Sequence, residues 1–131
     1  MSIRKLPDYH IKQKILYSDN TPPEILKDYG DLFFAGCSYS DAIDFYQKAN
    51  FIEGLQKIKQ SVMETGDVML FQRVVKALNL EPSSTEWESI GQTAMGLKKY
   101  LFARHALEKA NNDGLLSSLK QIIQAEEHEK I

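Results

Sequence analysis

The chain has few of the residues that hold covalent or metal-linked scaffolds together. Its 131 residues include one cysteine, Cys37, which excludes an internal disulfide and a cysteine-rich zinc site and is typical of a reducing compartment. The three histidines, His10, His105 and His128, include no pair at metal-ligand spacing. No stretch approaches the roughly 18 apolar residues of a membrane span, and the first residues lack the apolar core of a signal peptide. We therefore expect a cytoplasmic protein with no bound metal and no membrane partner.

Neither sign of charge predominates. Sixteen lysines and arginines face 18 aspartates and glutamates, which leaves a net charge of −2, whereas a nucleic-acid-binding protein should carry a basic stripe. The seven glycines are scattered and form no phosphate-binding loop. His105 is expected to lie between helices rather than to catalyse a reaction, and Cys37 to fill a turn rather than to be an exposed thiol. We expect no enzyme activity, no cofactor and no nucleic-acid partner.

Apolar residues recur at helical spacing through most of the chain, and no stretch alternates as a strand would. The pattern predicts an all-α protein. Two capping boxes are predicted, Thr21 with Glu24 and Ser83 with Glu86. The predicted helices cover residues 8–17, 22–35, 40–49, 51–65, 68–78, 84–95, 99–110 and 115–127.

Two segments repeat the same small and large residues 61 positions apart. The first contains Leu26, Gly30, Phe33, Tyr39, Ala42, Tyr46 and Ala49, and the second contains Trp87, Gly91, Ala94, Tyr100, Ala103, Leu107 and Ala110. A chain that repeats its packing residues is expected to repeat one supersecondary unit.

These motifs resemble the tetratricopeptide repeat. Trp87-x2-Ile90-Gly91-x2-Ala94 followed by Ala103-x3-Leu107-x2-Ala110 is similar to it, as is Leu26-x2-Tyr29-Gly30-x2-Phe33 followed by Ala42-x3-Tyr46-x2-Ala49. The resemblance implies one α-α superhelix of antiparallel helix pairs over residues 1–131. Its predicted parts are an N-terminal helix (1–20), three repeats (22–50, 51–82, 83–114) and a capping helix (115–131). The middle repeat is degenerate, with Ile58 in place of the glycine, Leu70 in place of the inner alanine and Ala77 as the last alanine.

The resemblance also implies that the first helix of each pair lines a concave groove that binds a peptide or helix of another protein. The groove residues that it assigns are Lys27, Asp31, Phe34, Lys59, Val62, Met63, Glu88, Gln92 and Met95. Asp31 and Glu88 stand where a clamp for a C-terminal carboxylate would need neutral or basic groups, so that subclass is not expected. Residues 21–50 have a local charge balance of −3 and could attract a basic segment.

Two other functions are compatible with the sequence. The chain could be a structural or assembly subunit, or resemble a small secretion chaperone, and act through self-association as a homodimer. It could instead bind a small molecule, or act as an enzyme, in a closed pocket between irregular repeats. The N-terminal helix, which has no partner in the repeat, could dock into the groove and block it.

Overall fold

A computed structural model describes residues 7–129, and within them the protein is all-helical, with no strand. Residues 1–6 and 130–131 lie outside the described range, and with them the ends of the predicted segments 1–20 and 115–131. The helices are α1 (Tyr9–Tyr17), α2 (Pro23–Ala35), α3 (Tyr39–Ala49), α4 (Ile52–Thr65), α5 (Val68–Ala77), α6 (Ser84–Gly96), α7 (Tyr100–Lys109) and α8 (Asp113–Glu129). The all-α prediction is confirmed, and each predicted helix is present.

One predicted capping box is confirmed and the other is wrong. The Ser83 hydroxyl oxygen accepts from the Glu86 N–H at 3.2 Å, and the Glu86 carboxylate accepts from the Ser83 N–H at 3.4 Å. At α2 the N-cap is Pro22, in an extended conformation, because a residue that precedes a proline is excluded from the helical region. The Thr21 hydroxyl donates instead to the Ile15 carbonyl at 3.0 Å.

The chain forms two compact units that divide within α4, between Ile58 and Lys59. In unit 1, α2 and α3 pack as an antiparallel pair around the fully buried Phe45. The rings of Phe33 and Tyr29 stack on Phe45, with centroid distances of 5.4 and 5.6 Å. This aromatic stack forms the core of the first pair.

Helix α1 contacts α3 rather than the predicted binding helix α2. The Lys12 ammonium pairs with Asp41 and, at 3.1 Å, with Asp44, both on α3. Burial lowers the pKa of Lys12, but the hydrogen bonds and charges of the two aspartates outweigh it and raise that pKa above its ordinary value. The hypothesis that α1 blocks the groove therefore lacks support.

In unit 2, α6 and α7 form the most closely packed pair, and α8 covers α7. The buried residues Ala94, Ala103, Leu107 and Leu119 form one apolar cluster. The Trp87 ring meets the buried Phe71 ring edge-on at 5.0 Å. Helix α8 thus covers the apolar face of the last pair, as a terminal helix of a repeat protein should.

The repeat read from the sequence is present in the backbone. Turn residues Cys37 and Lys98, 61 positions apart, have φ angles of 60° and 62°, and Asn50 and Asn111, also 61 apart, have φ angles of 56° and 55°. Helices α2, α3 and α4 begin 61 residues before α6, α7 and α8. The period of 61 residues therefore covers three successive helices rather than two.

The middle pair follows the same register, but not the one expected from the sequence. Its left-handed residues are Gly66 and Asn79, and Asn79 lies 29 residues after Asn50 and 32 before Asn111. The expected spacings, taken from Ala77, were 28 and 33. The shift of one residue is a correction: Leu78, not Ala77, is equivalent to Ala49 and Ala110.

This register gives the middle pair a physical explanation. Lys59, not Ile58, lies at the position of Gly30 and Gly91. Similarly, Phe71, not Leu70, lies at the position of the inner alanines, and Val75 at that of Tyr46 and Leu107. In the outer pairs a glycine faces a large residue, whereas the middle pair has a small valine and no glycine. The middle pair has thus exchanged large and small positions, which conserves volume.

Candidate partner-binding face

The backbone register defines which residues are equivalent on the first helices. Lys27, Asp31 and Phe34 of α2 correspond to Glu88, Gln92 and Met95 of α6, as expected. On α4 the equivalent positions are Gln56, Gln60 and Met63. Met63 therefore keeps its assignment, Lys59 lies one position away from the face, and the fully buried Val62 belongs to the core.

Lys59 connects two helices of unit 2. Its ammonium lies 2.6 Å from the Glu86 carboxylate in the first turn of α6, and both side chains are about two-thirds buried or more. The hydrogen bond from Lys59 lowers the pKa of Glu86, burial opposes it, and the Ser83 N–H and the Lys59 charge lower it further. Lys59 thus joins α4 to the cap of α6, and its charge is already neutralised.

The predicted residues of unit 1 form a connected polar group. The Lys27 ammonium lies 3.1 Å from Asp31 Oδ2 and 5.0 Å from the centroid of the Phe51 ring. The buried Tyr46 donates its hydroxyl proton to Asp31 Oδ1 at 2.5 Å. Burial and this hydrogen bond raise the pKa of Tyr46, and the hydrogen bond with Asp31 raises that of Lys27.

Phe34 lies further along α2 and is separate from this group. It is half-buried, and its ring centroid lies 5.7 Å from that of Tyr39. Since Lys27 and Asp31 neutralise each other, a partner would meet little net charge at these two residues of unit 1.

Unit 2 carries an uncharged row on its first helices. Gln60 of α4, Gln92 of α6 and Gln121 of α8 occupy equivalent positions, and all three are exposed. Because α8 is in register with α4, it continues this row rather than serving only as a cap. A side-chain amide both donates and accepts hydrogen bonds, so each glutamine can pair with the peptide group of a partner.

The same face has apolar residues beside the amides. Met63 and Met95 occupy equivalent positions and are half-buried, and Met95 packs against the apolar cluster of unit 2. Glu88, half-buried at the start of α6, contributes a carboxylate. Methionine adapts its shape to different partners, so this combination suits an amphipathic peptide.

Two residues considered for chemistry have other roles. His105 Nε2 lies 2.7 Å from the Gln72 amide nitrogen and joins α7 to α5, as expected of an interhelical residue. Cys37 is exposed, which corrects the expectation that it fills the turn. Within residues 7–129 no group of three or more histidine, cysteine, aspartate or glutamate residues could hold a metal ion, and no helix is long and apolar enough to cross a membrane.

Sequence reasoning missed Gln56, Gln60 and Gln121, although a signal for them was available. Each second helix is followed by an asparagine in the left-handed conformation: Asn50, Asn79 and Asn111. Asparagine tolerates this conformation better than other non-glycine residues. Aligning the repeats on these asparagines gives the observed register, whereas aligning on alanines does not.

Comparison with known proteins adds no family assignment. The chain has no significant match to a protein-family model, to a curated protein or to a solved structure. The resemblance to the tetratricopeptide repeat therefore stays a prediction that rests on the residue pattern and on the register of the helices.

Proposed function

We propose that the protein is an interaction module that binds a peptide or helix of another protein on the face of its first helices. One observation carries this proposal: helices α2–α4 and α6–α8 repeat the same turns and starts 61 residues apart. A repeat of this kind places equivalent side chains on one surface, and such surfaces typically bind extended partners. The tetratricopeptide-like arrangement of the pairs belongs to this proposal.

The composition of the face favours a particular kind of partner. In unit 2 the row of Gln60, Gln92 and Gln121 offers donors and acceptors without net charge, and Met63 and Met95 offer adaptable apolar contact. Polar groups of the ligand would then be paired rather than buried without partners. We infer a partner segment with exposed peptide groups and apolar side chains.

Affinity capture with two variants of matched charge tests the proposal. The first variant, Gln60→Glu with Gln92→Glu, adds two negative charges to the face. The control, Lys76→Gln with Lys109→Gln, makes the same change in net charge at exposed positions on the second helices. Circular dichroism should show equal helix content in both, because all four side chains are exposed.

We expect the native chain and the control to capture the same partner, and the first variant to lose it. Each buried mismatch of a carboxylate should weaken binding by about tenfold or more. A partner that is retained by the first variant and lost by the control would place the binding surface on the second helices and contradict the proposal.

A further inference from the structure

The turn within each helix pair has one backbone and three different sets of side chains. The second residue of each turn is left-handed: Cys37, Gly66 and Lys98, with φ angles of 60°, 68° and 62°. The next residue in each turn donates its N–H to a carbonyl five residues earlier. The first turn uses Gly36, Cys37, Ser38, Tyr39 and Ser40, whereas the third uses Leu97, Lys98, Lys99, Tyr100 and Leu101.

The leucines of the third turn are exposed to an unusual degree. Leu101 is 81% exposed and Leu97 is 52% exposed, where the first turn has Ser40 and Gly36. Lys98, Lys99 and Leu101, with the neighbouring Phe102, help to line a shallow depression on this edge of unit 2. We call the group of Leu97, Lys98, Lys99 and Leu101 the lysine–leucine turn.

The fold does not need these four side chains. The first pair makes the same turn with small residues, so the backbone geometry is obtained without them. Lysine at a left-handed position is also less favourable than the glycine that the middle pair uses there. Exposed leucines likewise contribute nothing to the core and are typical of contact surfaces when they cluster.

The charges beside the leucines are positive. The Lys98 side chain is 75% exposed, and its ammonium lies 3.6 Å from the Glu126 carboxylate, a loose pair. The Lys99 ammonium donates to the Thr65 carbonyl at 2.5 Å, which neutralises none of its charge. The turn therefore presents two ammonium groups on either side of the line between two exposed leucines.

We propose that the lysine–leucine turn is a second docking site, separate from the face of the first helices, for an acidic amphipathic segment of another protein. Apolar side chains of that segment would cover Leu97 and Leu101, and its carboxylates would pair with Lys98 and Lys99. Charge complementarity favours this occupant, since lysines so close to the apolar surface repel basic segments and attract acidic ones.

The test uses two synthetic helical peptides and the full-length protein. Both peptides carry leucine at every fourth position, and the remaining positions are mostly glutamate in one and lysine in the other. Fluorescence anisotropy measures binding to the native chain and to three variants: Lys98→Glu with Lys99→Glu, Leu97→Ser with Leu101→Ser, and Lys76→Glu with Lys109→Glu as the charge control. A fourth variant, Leu97→Gly, Lys98→Gly, Lys99→Ser and Leu101→Ser, imitates the turns that the chain already folds.

We expect the glutamate peptide to bind the native chain and the charge control, and to bind more weakly as salt is raised. Each of the other three variants should weaken this binding by about tenfold or more. Equal binding of both peptides, binding unchanged in the turn variants, or no binding at all would overturn the proposal.

Two further measurements exclude other occupants. Binding to vesicles of phosphatidylcholine with phosphatidylserine, lost in the lysine variant and without binding of the glutamate peptide, would assign the turn to an anionic lipid surface. Sedimentation that shows a dimer, lost with Leu97→Ser and Leu101→Ser, would assign it to a second copy of the chain. Either result would overturn the proposal, and neither would affect the face of the first helices.

Discussion

The buried ring of Tyr46 should make the protein sensitive to a single methyl group at Gly30. A Cβ atom at Gly30 would lie 2.5 Å from Tyr46 Cε1, well inside the about 3.5–4.0 Å of favourable carbon contact. On its other side the ring is confined by Gly54, where a Cβ atom would lie 2.7 Å from Tyr46 Cε2. The hydroxyl is tied to Asp31 at 2.5 Å, so the ring cannot shift without weakening that bond.

The expected magnitude follows from three opposing effects. Overpacking a core costs about 1–3 kcal/mol, and displacement of the ring weakens a hydrogen bond to a charged group that is worth about 1.5–3 kcal/mol. Alanine is favoured over glycine in a helix by about 1 kcal/mol. Gly30→Ala should therefore lower the free energy of unfolding by about 1–3 kcal/mol.

Urea unfolding followed by circular dichroism measures this effect, and Gly96→Ala is the matched control. A Cβ atom at Gly96 would meet nothing within 4 Å, so that variant should be neutral or stabilised by up to about 1 kcal/mol. In a Tyr46→Val background, which imitates Val75 of the middle pair, Gly30→Ala should cost less. Equal stability of Gly30→Ala and Gly96→Ala, or an unchanged cost in the valine background, would refute the reasoning.

Three other predictions concern single side chains. Because burial and Asp31 raise the pKa of Tyr46, its contribution to stability is present below the ordinary value of 10.0 and is lost as pH rises through the raised value; Tyr46→Phe should therefore destabilise at neutral pH, and urea unfolding should show the difference shrinking at strongly alkaline pH. Ser83→Ala should cost about 1 kcal/mol by removing the cap of α6, which a thermal melt would show as a lower midpoint, and an unchanged midpoint would contradict the cap. Lys12→Met should release α1 from α3 and speed proteolysis in residues 9–17, whereas cleavage at the native rate would show that the ion pairs do not hold α1.

Much of the fold follows from local signals in the sequence. Ser83 and Glu86 predict the start of α6 because the capping box is a local interaction. The paired prolines explain the one wrong cap, since Pro22 precedes Pro23 and so cannot enter the helix. The repeat of outer pairs was visible because Gly30 and Gly91 face large residues in both.

The middle pair could not be placed by residue identity, because its packing sizes are exchanged. Lys59 and Val75 are equivalent to a glycine and a large residue in the other pairs, so matching identical residues shifted the register by one. That shift replaced Gln56 and Gln60 of the candidate face with Lys59. The exposure of Leu101 likewise depends on what covers α7, which no local pattern determines.

The most direct test of the proposed binding face is site-specific photo-crosslinking to the captured partner. A photoreactive side chain is introduced at one of four exposed positions: Gln60 or Gln92 on the first helices, and Lys76 or Lys109 on the second helices. We expect crosslinks to the partner from Gln60 and Gln92 and none from the two lysine positions. Crosslinks from Lys76 and Lys109 alone would contradict the central claim that the first helices form the binding face.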